Sequence, residues 1–485
     1  MSKLKDFIKS TFFYSIYLFF VKKRRKLKAF IGKRRRKLKA FIRKKTNPLY
    51  KYYVFKCLYP RVYRKAAKAP VDENKVVFIE IRLPKLTNSF KLMYDTLYTN
   101  YDFDIHCHFL RNTYVTRKQY RENCKAMLAD IATAKYVFFD EATNVTSHVQ
   151  FRPETVITQL WHGCGAFKKF GYSTADAIFG ATREEMDKYP FNRGYTNVTV
   201  SSPEVIWAYE EAMNYSRESG VVKALGSSRT DIFYDREVID NAYNTLYGLM
   251  PEAKGKKVIL YAPTFRGRVA KATTPHVLNP EFMKFVLGNE YVLLMKHHPL
   301  VRKRPKIREE CLDFARDMTN DMTIEDLLCV SDICISDYSS LVFEYSLFEK
   351  PMIFLAHDLD KFFDWRGFYY DYFELAPGPI VKSTTEVIEY IKNIDKLFDK
   401  ERVHAFREKF MSACDGHATE RIMDVTFGTE LEKHKRETPL EKAPYHLIPH
   451  SNDYVEPSED ESEEESDEEN ENSCDENGKD NKTEA

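Results

Sequence analysis

Five short segments gather side chains suited to handling a phosphorylated molecule. They are Trp161-His162-Gly163 with Lys168, Gly226-Ser227-Ser228-Arg229-Thr230-Asp231, Pro263-Thr264-Phe265-Arg266, Lys296-His297-His298-Pro299 and Asp337-Tyr338-Ser339-Ser340. The forked guanidinium groups of Arg229 and Arg266 match phosphate oxygens, and Lys296 adds a point charge. Ser339 and Ser340, placed where a helix starts, offer hydroxyls and backbone N–H groups at the end whose dipole favours an anion. An imidazole can take the proton of an attacking hydroxyl, and His162 and His298 are the two candidates. Each segment alone also has a plainer reading: a satisfied loop histidine, an Arg229–Asp231 ion pair in a turn, or a Ser-Ser helix cap. Asp358-Leu359-Asp360 has the spacing of a metal-holding pair, but two aspartates near a turn are more often solvated, and no metal ligand is assigned. His357, His106 and His108 have no supporting context.

What makes the five segments more than scattered polar residues is where they fall. Apolar runs read as strands at Val76–Ile81, Phe103–Phe109, Tyr136–Phe139, Val156–Leu160, Val198–Ser201, Val221–Leu225, Val258–Ala262, Tyr291–Met295, Ile333–Ser336 and Met352–Leu355, and helical patterns such as Arg117–Ala132 lie between them. Many of these strands are continuous Val/Ile/Leu/Phe runs, as expected when both sheet faces are covered. The alternation predicts two doubly wound α/β domains, over 76–215 and 216–430, after a linker at 46–75. In such folds ligands bind beyond the carboxyl ends of the strands, and all five segments directly follow a strand.

Length and composition agree. With 485 residues, 43% hydrophobic and 30% charged, the chain is too long for one core and too apolar to be disordered. Its net charge of +3 conceals a strong asymmetry. The 18 Lys/Arg of residues 1–45 face one acid, Asp6, and the 16 Asp/Glu of residues 453–485 face two Lys, leaving the body between them neutral. The acidic end, after a linker from 431, lacks the apolar residues to offset ordering entropy and reads as a disordered tail. The apolar run from Phe7 to Val21 is shorter than the ~20 residues a spanning helix needs. Behind it, Lys26-Leu-Lys-Ala-Phe-Ile31 recurs as Lys37-Leu-Lys-Ala-Phe-Ile42, an 11-residue offset that puts Leu27, Phe30, Ile31, Leu38, Phe41 and Ile42 on one helical face among Lys and Arg. Residues 7–45 therefore predict a basic amphipathic helix on an anionic membrane surface, held at the cytoplasmic face by its charge. A solvated arm or a nucleic-acid contact are the competing readings; the aromatic run has no use on a nucleic acid. Nine scattered cysteines without paired CxxC spacing argue against a disulfide framework or zinc site.

Taken in order, Gln159-Leu160-Trp161-His162-Gly163 with Lys168, Gly226-x-x-Arg229-x-Asp231, Ile259 to Arg266, Lys296-His-His-Pro299 and Ser336-Asp337-Tyr338-Ser339-Ser340-x-x-Phe343-Glu344 resemble the CDP-glycerol glycerophosphotransferase family of teichoic-acid primases and polymerases. The resemblance covers roughly residues 76–430. It implies a GT-B-like arrangement of two Rossmann-like domains facing a cleft, and transfer of glycerol phosphate or a related polyol phosphate from a CDP-activated donor to a hydroxyl of a lipid-linked acceptor, with release of CMP. His162 is then the base in the acceptor-facing domain, and His298 contacts or protonates the donor phosphates among Arg229, Arg266, Lys296, Ser339 and Ser340. Glu344 holds the ribose or positions a neighbour. No cofactor is assigned beyond the CDP-glycerol donor. Ser228 stands where the family turn usually has proline, and Cys164-Gly165-Ala166-Phe167 departs from the polymerase loop, which leaves the acceptor open. Two other functions stay in view: a nucleotide-sugar glycosyltransferase of the same fold, and a non-catalytic membrane-surface scaffold.

Overall fold

A computed structural model of the 485-residue chain describes residues 47–111, 115–177, 181–267, 272–360 and 367–441, together with Tyr17, Phe19, Val21, Lys23 and Arg24. Most of the basic amphipathic segment and the whole acidic tail fall outside the described residues. Residues up to Arg61 form a unit of their own, and the second unit begins at Val62. In the first, Tyr52–Leu58 is a short π-helix that leaves Tyr52 and Tyr53 exposed. Among the described residues no helix is long and apolar enough to cross a membrane.

The second unit contains two six-stranded, wholly parallel sheets. The first comprises β1 (Asp72–Glu80), β2 (Asp104–Phe109), β3 (Ala134–Phe139), β4 (Val156–Gln159), β5 (Asn197–Thr199) and β6 (Val222–Lys223), in the order β2-β1-β3-β4-β5-β6. The second comprises β7 (Lys257–Tyr261), β8 (Tyr291–Met295), β9 (Ala315–Asp317), β10 (Ile333–Ser336), β11 (Met352–Leu355) and β12 (Ile380–Val381), in the order β12-β11-β10-β7-β8-β9. All ten strands expected from the sequence are present. β9 and β12 were not expected, because each is too short to show a period.

Each order reverses once. The first sheet turns back between β1 and β3, and the second between β7 and β10. At such a point the crossovers leave in opposite directions and open a crevice beyond the strand ends.

The two sheets are not two independent stretches of chain. Because β6 pairs with β5, the first sheet continues to Lys223, past residue 215. Near its end the chain then returns. Ile422, Met423 and Phe427 of the helix Ala418–Phe427, with Leu431, join Val76, Phe78, Phe90 and Tyr136 in the first sheet's core. The Phe427 ring lies 4.3 Å from Tyr136 and 5.0 Å from Phe103, centroid to centroid. The second core is built from Ile259, Leu293, Ile335, Ile353, Val387 and their neighbours.

Candidate active site

β4 ends at Gln159, and the chain then makes a strained turn. Trp161 has φ of +58°, a left-handed conformation that costs a non-glycine residue about 1–3 kcal/mol. The turn is held by Trp161 N–H donating to Gln159 Oε1 (3.0 Å) and by Trp161 lying 5.2 Å from Phe170. Its result is to aim His162 out of the sheet. The His162 Nδ1 is 3.2 Å from both the Asp140 carbonyl oxygen and Glu141 Oε1. Both partners are acceptors, so Nδ1 carries the proton and Nε2 keeps its lone pair. Desolvation, then the positive charge of Arg82, push the His162 pKa down to about 4, so the ring is neutral near pH 7.

His298 has the opposite polarity. Its Nδ1 accepts from Leu300 N–H at 3.2 Å, which leaves Nε2–H as a donor. Phe265 flanks the ring at 4.8 Å. Desolvation, then the charges of Lys168 and Arg82, lower its pKa. Arg82 and Lys168 belong to the first half, and the charge of Arg82 acts on both imidazoles, one of which keeps a lone pair on Nε2 and the other an Nε2–H.

The halves meet tightly beside His162. A Cβ built on Gly163 would lie 3.7 Å from Ser340 Oγ, and one on Gly165, where φ is +64°, would penetrate the Phe343 ring. The clash and the positive φ explain Gly165, whereas a side-chain Cβ at Gly163 would meet Ser340 at ordinary contact distance. Lys168 bridges Phe368, Tyr369 N–H donates to the Phe167 carbonyl (3.1 Å), and Trp207 Nε1 donates to Tyr370 Oη (3.1 Å). Ser339 and Ser340 precede the helix Leu341–Ser346, with Ser340 exposed and Ser339 Oγ 3.4 Å from Leu341 N.

The other cations behave differently from the sequence reading. Arg229 and Arg266 have the right fork for phosphate, but both forks are occupied. Arg229 pairs with Glu325 (2.7 Å) and Glu344 (3.4 Å) and also donates to the His162 carbonyl; its side chain is 13% exposed. Arg266 donates to Asp358 (2.7 and 2.9 Å), Asp337 (2.9 Å) and the Thr264 carbonyl (2.6 Å). Lys296 Nζ donates to the carbonyls of Thr319 (2.9 Å) and Met322 (2.5 Å). Buried charge requires such partners, and each of these three side chains has them within the protein. Glu344, almost fully buried, completes the Arg229 pair, and burial raises its pKa. Asp337 accepts from the N–H groups of Thr264 (2.8 Å) and Tyr338 (2.6 Å), which locks the two loops at the β7/β10 reversal together.

Asp231 does not pair with Arg229. It accepts from Ala418 N (3.1 Å) and Thr419 N (2.7 Å), so it caps the returning helix Ala418–Phe427. Asp358 is engaged by Arg266 while Asp360 is exposed, so the two do not form a ligand pair. Among the described residues no cluster of three or more His, Cys, Asp or Glu is arranged to hold a metal ion.

The sequence reading missed the group at the β1/β3 reversal. Glu80 and Asp140 end adjacent strands one residue beyond the Ile79–Phe139 pair and are wholly buried. Glu80 Oε1 accepts from the N–H groups of Arg82 (2.8 Å) and Leu83 (2.9 Å), while Thr87 donates to Asp140. Desolvation raises the pKa of both acids, and for Asp140 the nearby Glu80 charge adds to the rise. Arg82 pairs with Glu141, directly after this dyad. No spacing signal marks these residues; only the strand order brings them together.

Two six-stranded parallel α/β halves, each with its order reversing once, define a two-domain Rossmann-like protein. Residues 61–428 match the family described as CDP-Glycerol:Poly(glycerophosphate) glycerophosphotransferase, and the chain belongs to that family. It is 36% identical over 369 residues to the teichoic acid poly(ribitol-phosphate) polymerase of Bacillus spizizenii, covering 75% of this chain and 58% of that one. It is 34% identical over 366 residues to the teichoic acid ribitol-phosphate primase of the same organism, covering 74% and 92%. The chain thus spans little more than half of the first relative and nearly all of the second. Among solved structures, the wall teichoic acid polymerase TagF superposes with a TM-score of 0.63 at 21% identity, over 81% of this chain and 97% of that one, which fixes the shared two-domain fold.

Proposed function

We propose that the protein transfers a polyol phosphate from a CDP-activated polyol to a hydroxyl of an acceptor in teichoic-acid-type polymer synthesis, releasing CMP. The observation that carries this reading is the pair of imidazoles of opposite polarity, both under the charge of Arg82, and in this reading they face one cleft. The acceptor hydroxyl gives its proton to His162 Nε2 as its oxygen bonds to the phosphorus that bears the polyol. The P–O bond to the bridging oxygen breaks, and that oxygen leaves with its electron pair on CMP. His298 Nε2–H donates to the donor phosphate as charge gathers there. Ser339, Ser340 and the first N–H groups of the helix they open line the opposite side. In-line displacement of this kind needs positioning and charge stabilisation more than covalent chemistry, which is what this cleft provides.

The family match supports the reaction class, and a histidine-to-asparagine variant of TagF has been soaked with CDPG. The two relatives above carry ribitol phosphate in their names, so ribitol stands beside glycerol as the polyol. The lipid-linked acceptor and a peripheral position at the cytoplasmic membrane face follow from the basic, aromatic residues 7–45. Flotation with anionic and with neutral vesicles checks this, since binding equal to both would remove the charge argument.

The deciding experiment measures release of CMP from labelled CDP-glycerol and CDP-ribitol, and of UDP from a panel of UDP-sugars, by the full chain. Turnover with a CDP-polyol and none with the sugars is expected, and the reverse identifies a glycosyltransferase. His162→Ala is expected to lower kcat about 10²–10⁴-fold, the range for a lost general base. A scaffold would be indifferent to that change.

A further inference from the structure

The cleft has two sides, and the cations that face it are unequal. Arg229, Arg266 and Lys296 each have two or more protein acceptors. Arg82 differs: its side chain is 51% exposed and a single carboxylate, Glu141, holds one of its terminal nitrogens, Nη2. A guanidinium has five N–H donors, and among the described residues no other side-chain acceptor bonds to this one, so most of the fork is left for a ligand. Its base is rigid, because the buried Glu80 carboxylate takes the N–H groups of Arg82 and Leu83. The anchor is also shared, since the Glu141 Oε1 that pairs with Arg82 lies 3.2 Å from His162 Nδ1. Cation and base therefore project side by side from one carboxylate, at the point where the first sheet reverses.

We propose that Arg82 binds the phosphate of the acceptor nearest the attacking hydroxyl, so that the first half of the cleft selects acceptors that already carry a phosphate. This rests on the polyol-phosphate transfer reading above. The product of each transfer ends in a polyol phosphodiester, whose terminal hydroxyl is only a few bonds from that phosphate. With the hydroxyl on His162 Nε2, the phosphate falls within the first half's rim, where a forked, partly exposed guanidinium meets it with two parallel hydrogen bonds. In this reading His298 and the Ser339-Ser340 turn meet the donor phosphates and Arg82 meets that of the acceptor, near enough to His298 for its charge to act on that ring as well. The arrangement makes Arg82 a specificity residue for the acceptor, alongside its effect on the His162 ring.

The test measures CMP release by the full chain with a CDP-polyol and two acceptors, a glycerol phosphodiester and its uncharged methyl triester. The unaltered chain should favour the diester. Arg82→Ala should raise KM for the diester about 10–100-fold, the scale of a lost charge-assisted contact, while KM for the triester and for the donor stays within about twofold. Arg82→Lys should recover part of the loss. Because Arg82→Ala strands Glu141, the double variant Arg82→Ala/Glu141→Ala is measured too and should show the same loss of discrimination. A rise in donor KM would place Arg82 on the donor instead, and equal effects on diester and triester would reduce it to a support for His162; either result overturns the proposal. Absence of CMP release by the unaltered chain with either CDP-polyol defeats the underlying transfer reading, before any variant is compared.

Discussion

His162 and His298 are chemically identical side chains that the fold makes opposite. One ring donates through Nδ1 to the Asp140 carbonyl beside the Glu141 carboxylate, and the other accepts at Nδ1 from a backbone N–H, so only the first has a free lone pair on its other nitrogen. The pH dependence of catalysis follows. A base must be unprotonated, and with a pKa of about 4 His162 stays so until the solution is well below the ordinary imidazole range. The acid limb of kcat/KM is therefore expected at unusually low pH. Removing the positive charge of Arg82 relieves part of the depression, so Arg82→Ala should move that limb to higher pH. An unmoved limb would show that Arg82 does not act on this ring. The sequence singles out both histidines because each comes just after an apolar strand. Their opposite polarity was not, since it depends on Asp140, Glu141 and Leu300, whose positions relative to the rings are set by folding.

At the level of elements, Arg229 is the tie. From the turn after β6 it reaches the His162 carbonyl, Glu325 in the first turn of Ile324–Val330, and Glu344 in Leu341–Ser346. Two carboxylates around one buried guanidinium are tolerable only while it is there. Arg229→Ala should destabilise the protein by about 3–5 kcal/mol, read as a lower denaturant midpoint, because it leaves Glu325 and Glu344 desolvated without a counter-ion. Arg229→Lys keeps the charge but loses the planar fork, and should recover only part of it. If Arg229→Ala unfolds at the wild-type midpoint, the tie is not structural. The sequence shows that Arg229 matters but not how: an arginine after a strand looks the same whether its fork meets phosphate or protein carboxylates.

Across the whole molecule, the first half is completed by residues far along the chain. Phe427 is almost fully buried against Tyr136, Phe103 and Phe138, and Thr426 Oγ1 meets Thr158 Oγ1 at 3.1 Å. Phe427→Ala should cost about 3–5 kcal/mol through the cavity it leaves. Since the lost contacts lie in the first sheet, hydrogen exchange in β1 and β3 should rise with it. Exchange that rises only around β7 to β12 would contradict this account. The returning helix also explains Asp231, whose carboxylate caps its start and so joins the segment after β6 to that helix.

The sequence by itself determined the strands, the alternation that makes the fold α/β, and the loops that carry the two histidines and the Ser-Ser turn. These depend on local periodicity and on side-chain chemistry, which a chain displays before it folds. Only the tertiary structure decided the order of the strands. That order sets Glu80 beside Asp140, brings Arg82 next to His162 and turns three expected phosphate ligands inward onto carboxylates and carbonyls. The physical reason is that pairing between parallel strands and the meeting of buried charges are made across long stretches of chain, where neither spacing nor residue type records which partner will be found.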